Sequence, residues 1–181
     1  MFFVRPYLYE FLNQAIIDYE IVIYTAGTKT YADLILDTLD PNKEYFSSRL
    51  YRESTILYKN EVIKDLSIIK KDLSKVIFID NLESNFRLQP DNGVHIKTWT
   101  NDIWDKQLLY LAKFIRNIAN ECVVDVRNKI KELKSKVILN YNPSNLNVVN
   151  SFNHNFFNNI NVINQMQSNK EPDYEMACMY Y

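Results

Sequence analysis

Two glycines, two cysteines and two histidines among 181 residues leave little room for the commoner cofactor motifs. With only Gly27 and Gly93, neither a dinucleotide-binding G-x-G-x-x-G nor a P-loop can be written. Cys122, Cys178, His95 and His154 are too scattered for a zinc finger or an H-E-x-x-H helix, so any metal must be held by oxygen. Neither charge sign dominates: 21 Lys and Arg stand against 22 Asp and Glu, which does not point to nucleic acid as the main partner. No apolar run approaches the ~20 residues of a membrane helix, and no secretory pattern is present, so no membrane segment is expected in this chain. Two cysteines cannot build a disulfide scaffold, which agrees with a reducing compartment such as cytosol or nucleus.

What is present is a 47% hydrophobic, 24% charged chain, suited to one globular domain with a tail. Pro6 and the spacing of Leu8, Phe11, Leu12, Ala15 and Ile16 predict an amphipathic helix over residues 6–19. Ile21-Val22-Ile23-Tyr24 follows without polar alternation, as in a parallel strand covered on both faces. A second helix is marked by Tyr31, Leu34, Ile35, Thr38 and Leu39 and ends at Asp40-Pro41. Residues 49–63 read as a hairpin turning at Lys59-Asn60, and Val76-Ile77-Phe78-Ile79 as a second buried strand. An extended piece near Val94-His95-Ile96 precedes helical patterns over 102–119 and 122–136. Helices alternating with short buried strands predict an α/β fold. Twelve asparagines crowd residues 140–169, so 1–138 reads as the domain and 139–181 as an Asn-rich low-complexity tail with little chemistry.

In an open α/β sheet, ligands bind beyond the carboxyl ends of the strands. The two buried strands end at Thr25 and at Asp80-Asn81, tips that should face one side. Thr25 offers a hydroxyl, and the amides of Ala26 to Thr28, Gly27 among them, open the next helix where an anion is favoured. Asp80 and Asn81 offer hard oxygens of the kind Mg²⁺ takes together with water and phosphate, and Lys64 a positive charge for phosphoryl oxygens. Each also has a plainer reading. Thr25 and Asp80 can be turn formers, Lys64 a solvated lysine, and Arg52-Glu53 an exposed pair. The order of hydroxyl, lysine and carboxylate favours chemistry. His95 reads as a packing or surface residue, Cys122 as a small buried hydrophobe, and the lysines of 127–136 as the solvated side of a helix striped by Val126, Ile130, Leu133 and Val137.

Arg5-Pro6, YEIVIYTAGTKTYAD, LYRES, IKDLS, DLSKVIFIDN and QPDN, over roughly residues 2–120, resemble the small C-terminal-domain phosphatases. These are also called NLI-interacting-factor-like phosphatases and belong to the haloacid dehalogenase superfamily. The resemblance implies a Rossmann-like parallel sheet and Mg²⁺-dependent removal of phosphate from phosphoserine or phosphothreonine in proteins, notably the repeats of RNA polymerase II, with a nuclear location. By motif it implies that Thr25 binds the phosphoryl group, that Lys64 neutralises charge on nucleophile and phosphate, and that Asp80 and Asn81 stand on the metal side. Arg52, Tyr31 and Gly27 fall near the phosphopeptide.

One family element is missing. The Asp-x-Asp that supplies nucleophile and general acid precedes Arg-Pro in that family, and no Asp-x-Asp occurs in this chain. Its strand lies between the strands ending at Thr25 and Asp80, setting them about 10 Å apart at ~4.8 Å per step, so a gap in the sheet is expected here. With Phe2-Phe3-Val4-Arg5-Pro6 reading like the end of a strand, an N-terminally truncated phosphatase is preferred over a chain that lost the motif by evolution. The rival is a non-catalytic binding protein resembling the receptor subunit of the mitochondrial inner-membrane import translocase, which shares the fold and a DLSKV-like segment.

Overall fold

The β-branched run after the first helix sets the architecture. The computed structural model describes residues 3–140 and 174–178. Strand β1 (Tyr19–Tyr24) has every residue buried except Glu20, and β5 (Val76–Asp80) is buried throughout, as expected for strands covered on both faces. They belong to a five-stranded sheet in the order β2-β1-β7-β5-β6, in which every pairing is parallel. Here β2 is Phe46–Leu50, β6 is Gly93–His95 and β7 is Tyr174–Cys178.

Helix α1 (Leu8–Ala15) packs Leu8, Phe11 and Leu12 with Leu108, Leu111 and Ile115 of α3 (Gln107–Asn120) against Ile21, Ile77 and Ile79. The helix is shorter than the predicted 6–19. It stops at Ala15 so that the chain can turn into β1, leaving Ile16 and Ile17 exposed. On the other side of the sheet, Ile23 packs with Ala32 and Leu36 of α2 (Lys29–Leu39), while Phe78 meets Leu66 and Phe86. The predicted α2 stripe holds at Leu39, which is buried, and at Ile35, which packs against the core, but Ala32 and Leu36 are buried in place of Tyr31, Leu34 and Thr38, which face outward.

The hairpin forms where the sequence placed it. Strands β3 (Ile56–Tyr58) and β4 (Glu61–Ile63) pair antiparallel, and Lys59 and Asn60 both take positive φ, the geometry of a type I′ turn. Residues 49 and 50 belong instead to β2, an edge strand. Helix α4 (Val126–Asn140) buries Val126 and Ile130, and its basic residues pair with acids, Arg127 with Asp125, Lys129 with Glu121 and Lys136 with Glu132. Cys122 is exposed with φ 49°, correcting the expectation of a buried thiol, because the tight join between α3 and α4 turns it outward. Among the described residues no helix is long and apolar enough to cross a membrane.

The expected gap between β1 and β5 is filled. Strand β7, from the chain's far end, runs parallel to both, with Ala177 in register with Val22 and Phe78. Residues 141–173, most of the Asn-rich segment with its Phe152, Phe156 and Phe157, lie outside the described residues.

Candidate active site

Because β1 and β5 are parallel and separated by a single strand, their carboxyl ends leave the same edge of the sheet, about 10 Å apart at two strand steps. Thr25 and Asp80 therefore converge, as the sequence predicted.

Asp80 is the better defined of the two. It has no exposed surface, and its Oδ2 accepts from Lys64 Nζ at 2.9 Å and from Asn85 Nδ2 at 2.9 Å. Its Oδ1 accepts from the Leu82 N–H at 2.9 Å. Lys64, also without exposed surface, is held by its backbone N–H donating to the Asn85 carbonyl. Burial pushes its ammonium pKa below the ordinary lysine value, and the Asp80 carboxylate pulls part of the way back. The solvated-lysine reading of Lys64 is thereby replaced by a fully desolvated ion pair. Asn81, after the tip, donates from Nδ2 to Thr98 Oγ1, and its carbonyl lies 3.1 Å from His95 Nε2. The hard oxygens at this tip are Asp80 Oδ1, already accepting from the Leu82 N–H, and Asn81 Oδ1. Among the described residues no three His, Cys, Asp or Glu side chains gather into a metal cage, so a cation there would draw its other ligands from water and phosphate.

The Thr25 tip is built around a turn. Thr25 is buried, and its Oγ1 accepts from the Gly27 N–H at 3.0 Å, so the turn-forming reading holds and one of the three loop amides is already engaged. The Arg52–Ser54 turn is pinned to this loop: Arg52 Nε donates to the Ala26 carbonyl at 2.7 Å and the Arg52 N–H to the Gly27 carbonyl. The buried Tyr24 hydroxyl donates to the Ser54 carbonyl. Arg52 is exposed, and Tyr31, 56% exposed, stands with Asn81, Phe46, Ile96 and Trp99 around an apolar cavity of about 370 Å³. The structure thus groups Thr25, Gly27 and Arg52 at one tip and Lys64, Asp80 and Asn81 at the other, with Tyr31 at the cavity beside Asn81.

Three contributors were given no role at the site by the sequence. Asn85 sits in a short 3-10 turn after the tip and braces both Lys64 and Asp80. His95, read as packing or surface, is exposed and pairs in register with Asp80. Gln89 joins two motif segments, donating from Nε2 to Asp65 Oδ1 and accepting from the Leu66 N–H. A second strand-tip carboxylate is not contributed by β7, whose Glu175 pairs with Glu20 and Val76 at the opposite end of the strands.

A hydroxyl, a desolvated lysine and a hard carboxylate thus lie toward one edge of the sheet, on either side of β7, a set of groups whose chemistry suits an oxyanion. Comparison with known proteins bears on it directly. The family model for NLI interacting factor-like phosphatase matches residues 1–127. The chain is 39% identical over 128 residues to CTD small phosphatase-like protein 2 of Dictyostelium discoideum, covering 71% of this chain and 22% of that protein. It is 37% identical over 117 residues to the human CTD small phosphatase-like protein, covering 65% and 42% respectively. It is also 40% identical over 132 residues to the mitochondrial import inner membrane translocase subunit tim50 of Aspergillus fumigatus, covering 73% and 26%. The chain therefore spans less than half the length of each of these relatives. With the matched segment reaching from the first residues to the start of α4, the chain belongs to the NLI interacting factor-like phosphatase family.

Proposed function

We propose that these residues form the phosphoryl- and metal-facing part of a protein phosphoserine/phosphothreonine phosphatase of the haloacid dehalogenase type, built on a Rossmann-like parallel sheet. The observation that carries this reading is the fully buried Lys64–Asp80 pair at the same sheet edge as Thr25. In it, Thr25 donates its hydroxyl to a phosphoryl oxygen, Lys64 offsets the negative charge gathered at the phosphorus, and Arg52 and Tyr31 meet the flanking peptide near Gly27. Asp80 and Asn81 would hold Mg²⁺, which when bound supplies Lewis-acid charge neutralisation. The substrate class is a phosphorylated protein, with the C-terminal repeats of RNA polymerase II and a nuclear setting as the specific reading, and neither nucleic acid nor membrane is needed. The phosphatase-like part is 1–138, and the Asn-rich part, 139–181, contributes residues 174–178 to its sheet as β7.

Because no Asp-x-Asp supplies the attacking carboxylate, the chain binds phosphoserine peptide in the presence of Mg²⁺ without releasing phosphate. Binding is read by anisotropy of a labelled phosphoserine peptide and turnover by free phosphate. Arg52→Ala and Thr25→Val weaken the binding. Phosphate release abolished by Asp80→Ala, or peptide affinity indifferent to phosphorylation, overturns the reading. The similarity to tim50 favours one second reading: a non-catalytic receptor at the mitochondrial inner membrane. A basic amphipathic helical peptide outcompeting the phosphopeptide selects it.

A further inference from the structure

The two carboxylate oxygens of Asp80 have different surroundings. Oδ2 accepts twice at 2.9 Å, from Lys64 Nζ and from Asn85 Nδ2, and both contacts are buried. Oδ1 accepts from the Leu82 N–H in a contact that is only partly buried. An ionised carboxylate oxygen accepts about two partners, so the inner oxygen is filled while the outer one has capacity for another.

That division depends on Asn85. A carboxylate tied by an ammonium alone can swing about its own axis and offer either oxygen, because the lysine head is a compact charge with no preferred plane. A second, fixed donor removes the freedom. The amide's orientation follows from chemistry, since a carboxylate only accepts and the amide nitrogen must therefore face it. Asn85 is itself 4% exposed, and its backbone carbonyl accepts from the Lys64 N–H at 2.8 Å. One residue thus holds the carboxylate through its side chain and the lysine through its backbone. Substitution at position 85 removes the first hold and leaves the second.

We infer that Asn85 is a positioning residue for the cation: by filling the inner oxygen of Asp80 it leaves the outer oxygen, Oδ1, as the one presented with Asn81 at the strand tip. The inference rests on the reading that Asp80 and Asn81 hold Mg²⁺, and it adds to that pair a residue acting only through Asp80. Partners of this kind orient a ligand, and their loss ordinarily weakens a metal about 10–100-fold.

The test uses Mn²⁺ alone as the probe, added to the full chain in phosphate-free buffer and followed by loss of the free-ion EPR signal. Urea midpoints are measured on the same proteins. Asn85→Leu keeps the bulk and loses the donor, Asn85→Ser loses bulk and keeps a hydroxyl donor, and Asn85→Ala loses both. Asn85→Leu and Asn85→Ala are expected to weaken Mn²⁺ binding about 10–100-fold, and Asn85→Ser to recover much of that loss. Asn85→Ala introduces no bulk and carries the comparison if Asn85→Leu does not fold. Phe11→Leu, in the core between α1 and α3, is expected to lower the urea midpoint and leave Mn²⁺ affinity unchanged.

Failure of the inference and failure of the metal reading give different results. No Mn²⁺ binding by the parent, or binding indifferent to Asn81→Ala, overturns both. Binding that Asn81→Ala weakens, but that the non-donor variants at position 85 leave within about twofold of the parent, overturns the inference alone. Affinity that follows bulk, with Asn85→Ser poorer than Asn85→Leu, or that falls equally in Phe11→Leu, makes Asn85 a space-filling residue and overturns it as well.

Discussion

Removing one member of the Lys64–Asp80 pair should cost far more than an ordinary point substitution. Both side chains lack exposed surface and meet at 2.9 Å, so neither charge can recover water when its partner is removed. Breaking such a pair costs about 3–5 kcal/mol. The two single variants are not equivalent. In Lys64→Met the Asp80 carboxylate keeps its Asn85 and Leu82 donors, which places the loss near ~3 kcal/mol. In Asp80→Asn the ammonium remains buried against a neutral amide, which places the loss near ~5 kcal/mol. Against a total stability of roughly 5–15 kcal/mol, either change removes a large share. Urea unfolding followed by circular dichroism measures it, and ~3 kcal/mol at a slope of ~2 kcal/mol per molar shifts the midpoint by ~1.5 M. The double variant Lys64→Met/Asp80→Asn leaves no unpaired charge at this position and is expected to be no worse than the poorer single, so the effects fall short of additivity by at least ~3 kcal/mol. Singles costing under ~1 kcal/mol, or an additive double, would refute the claim that two desolvated charges hold each other in place.

Two further outcomes are specific enough to check. A Cβ on Gly93 would stand 2.2 Å from the Phe86 ring, which itself packs edge-on against Phe78, so Gly93→Ala should lower stability by about 1–3 kcal/mol through overpacking; an unchanged urea midpoint would contradict it. Hydrogen bonds from Lys29 and Tyr51, with Arg49 adding a third, hold the Asp33 carboxyl down to about 2 from 3.8. A depressed carboxyl stabilises the fold above its unfolded value and loses that contribution as pH falls through its folded value, so the melting-temperature difference between parent and Asp33→Asn should be full at pH 6 and vanish near pH 2. Water screening limits this contribution to about 1 kcal/mol, and a difference independent of pH would show that Asp33 acts by packing alone.

The parts of this fold legible in the sequence are those whose burial is two-sided. Ile21-Val22-Ile23 and Val76-Ile77-Phe78-Ile79 are unbroken apolar runs because helices and turns cover both faces of β1 and β5, and their tips gave Thr25 and Asp80 without coordinates. Strand β2, Phe46-Ser47-Ser48-Arg49-Leu50, was not legible, since an edge strand needs only partial burial and its polar residues face solvent or bond locally. Strand β7 was hidden for another reason. A five-residue strand behind an Asn-rich stretch has no periodicity long enough to read, and its place is fixed by the vacant inner edges of two distant strands. At the site, the carboxylate and lysine were legible as residue types in order, whereas their mutual burial and the bracing by Asn85 depend on a turn that no local pattern announces.

The motif segments that carry the family likeness divide into chemistry and support, and the division bears on function. In IKDLS, Lys64 meets Asp80, but Asp65 caps the turn beginning at Leu66 by accepting from the Ser67 N–H. In QPDN, Gln89 ties that turn down, and Asn92 donates to the carbonyls of Leu73 and Val76, fixing where β5 begins. These supporting residues hold turns and, at Val76, a buried backbone carbonyl, needs of the sheet that stand whatever reaction the protein performs or lacks. Phosphatases and translocase subunits can therefore match the chain at similar identity, 36–40% among the relatives compared. Identity within such segments reads the scaffold. Groups with no structural need to be charged are the ones to question about a reaction, and at this sheet edge Lys64 and Asp80 are such a pair, whose burial costs stability that an apolar pair would not.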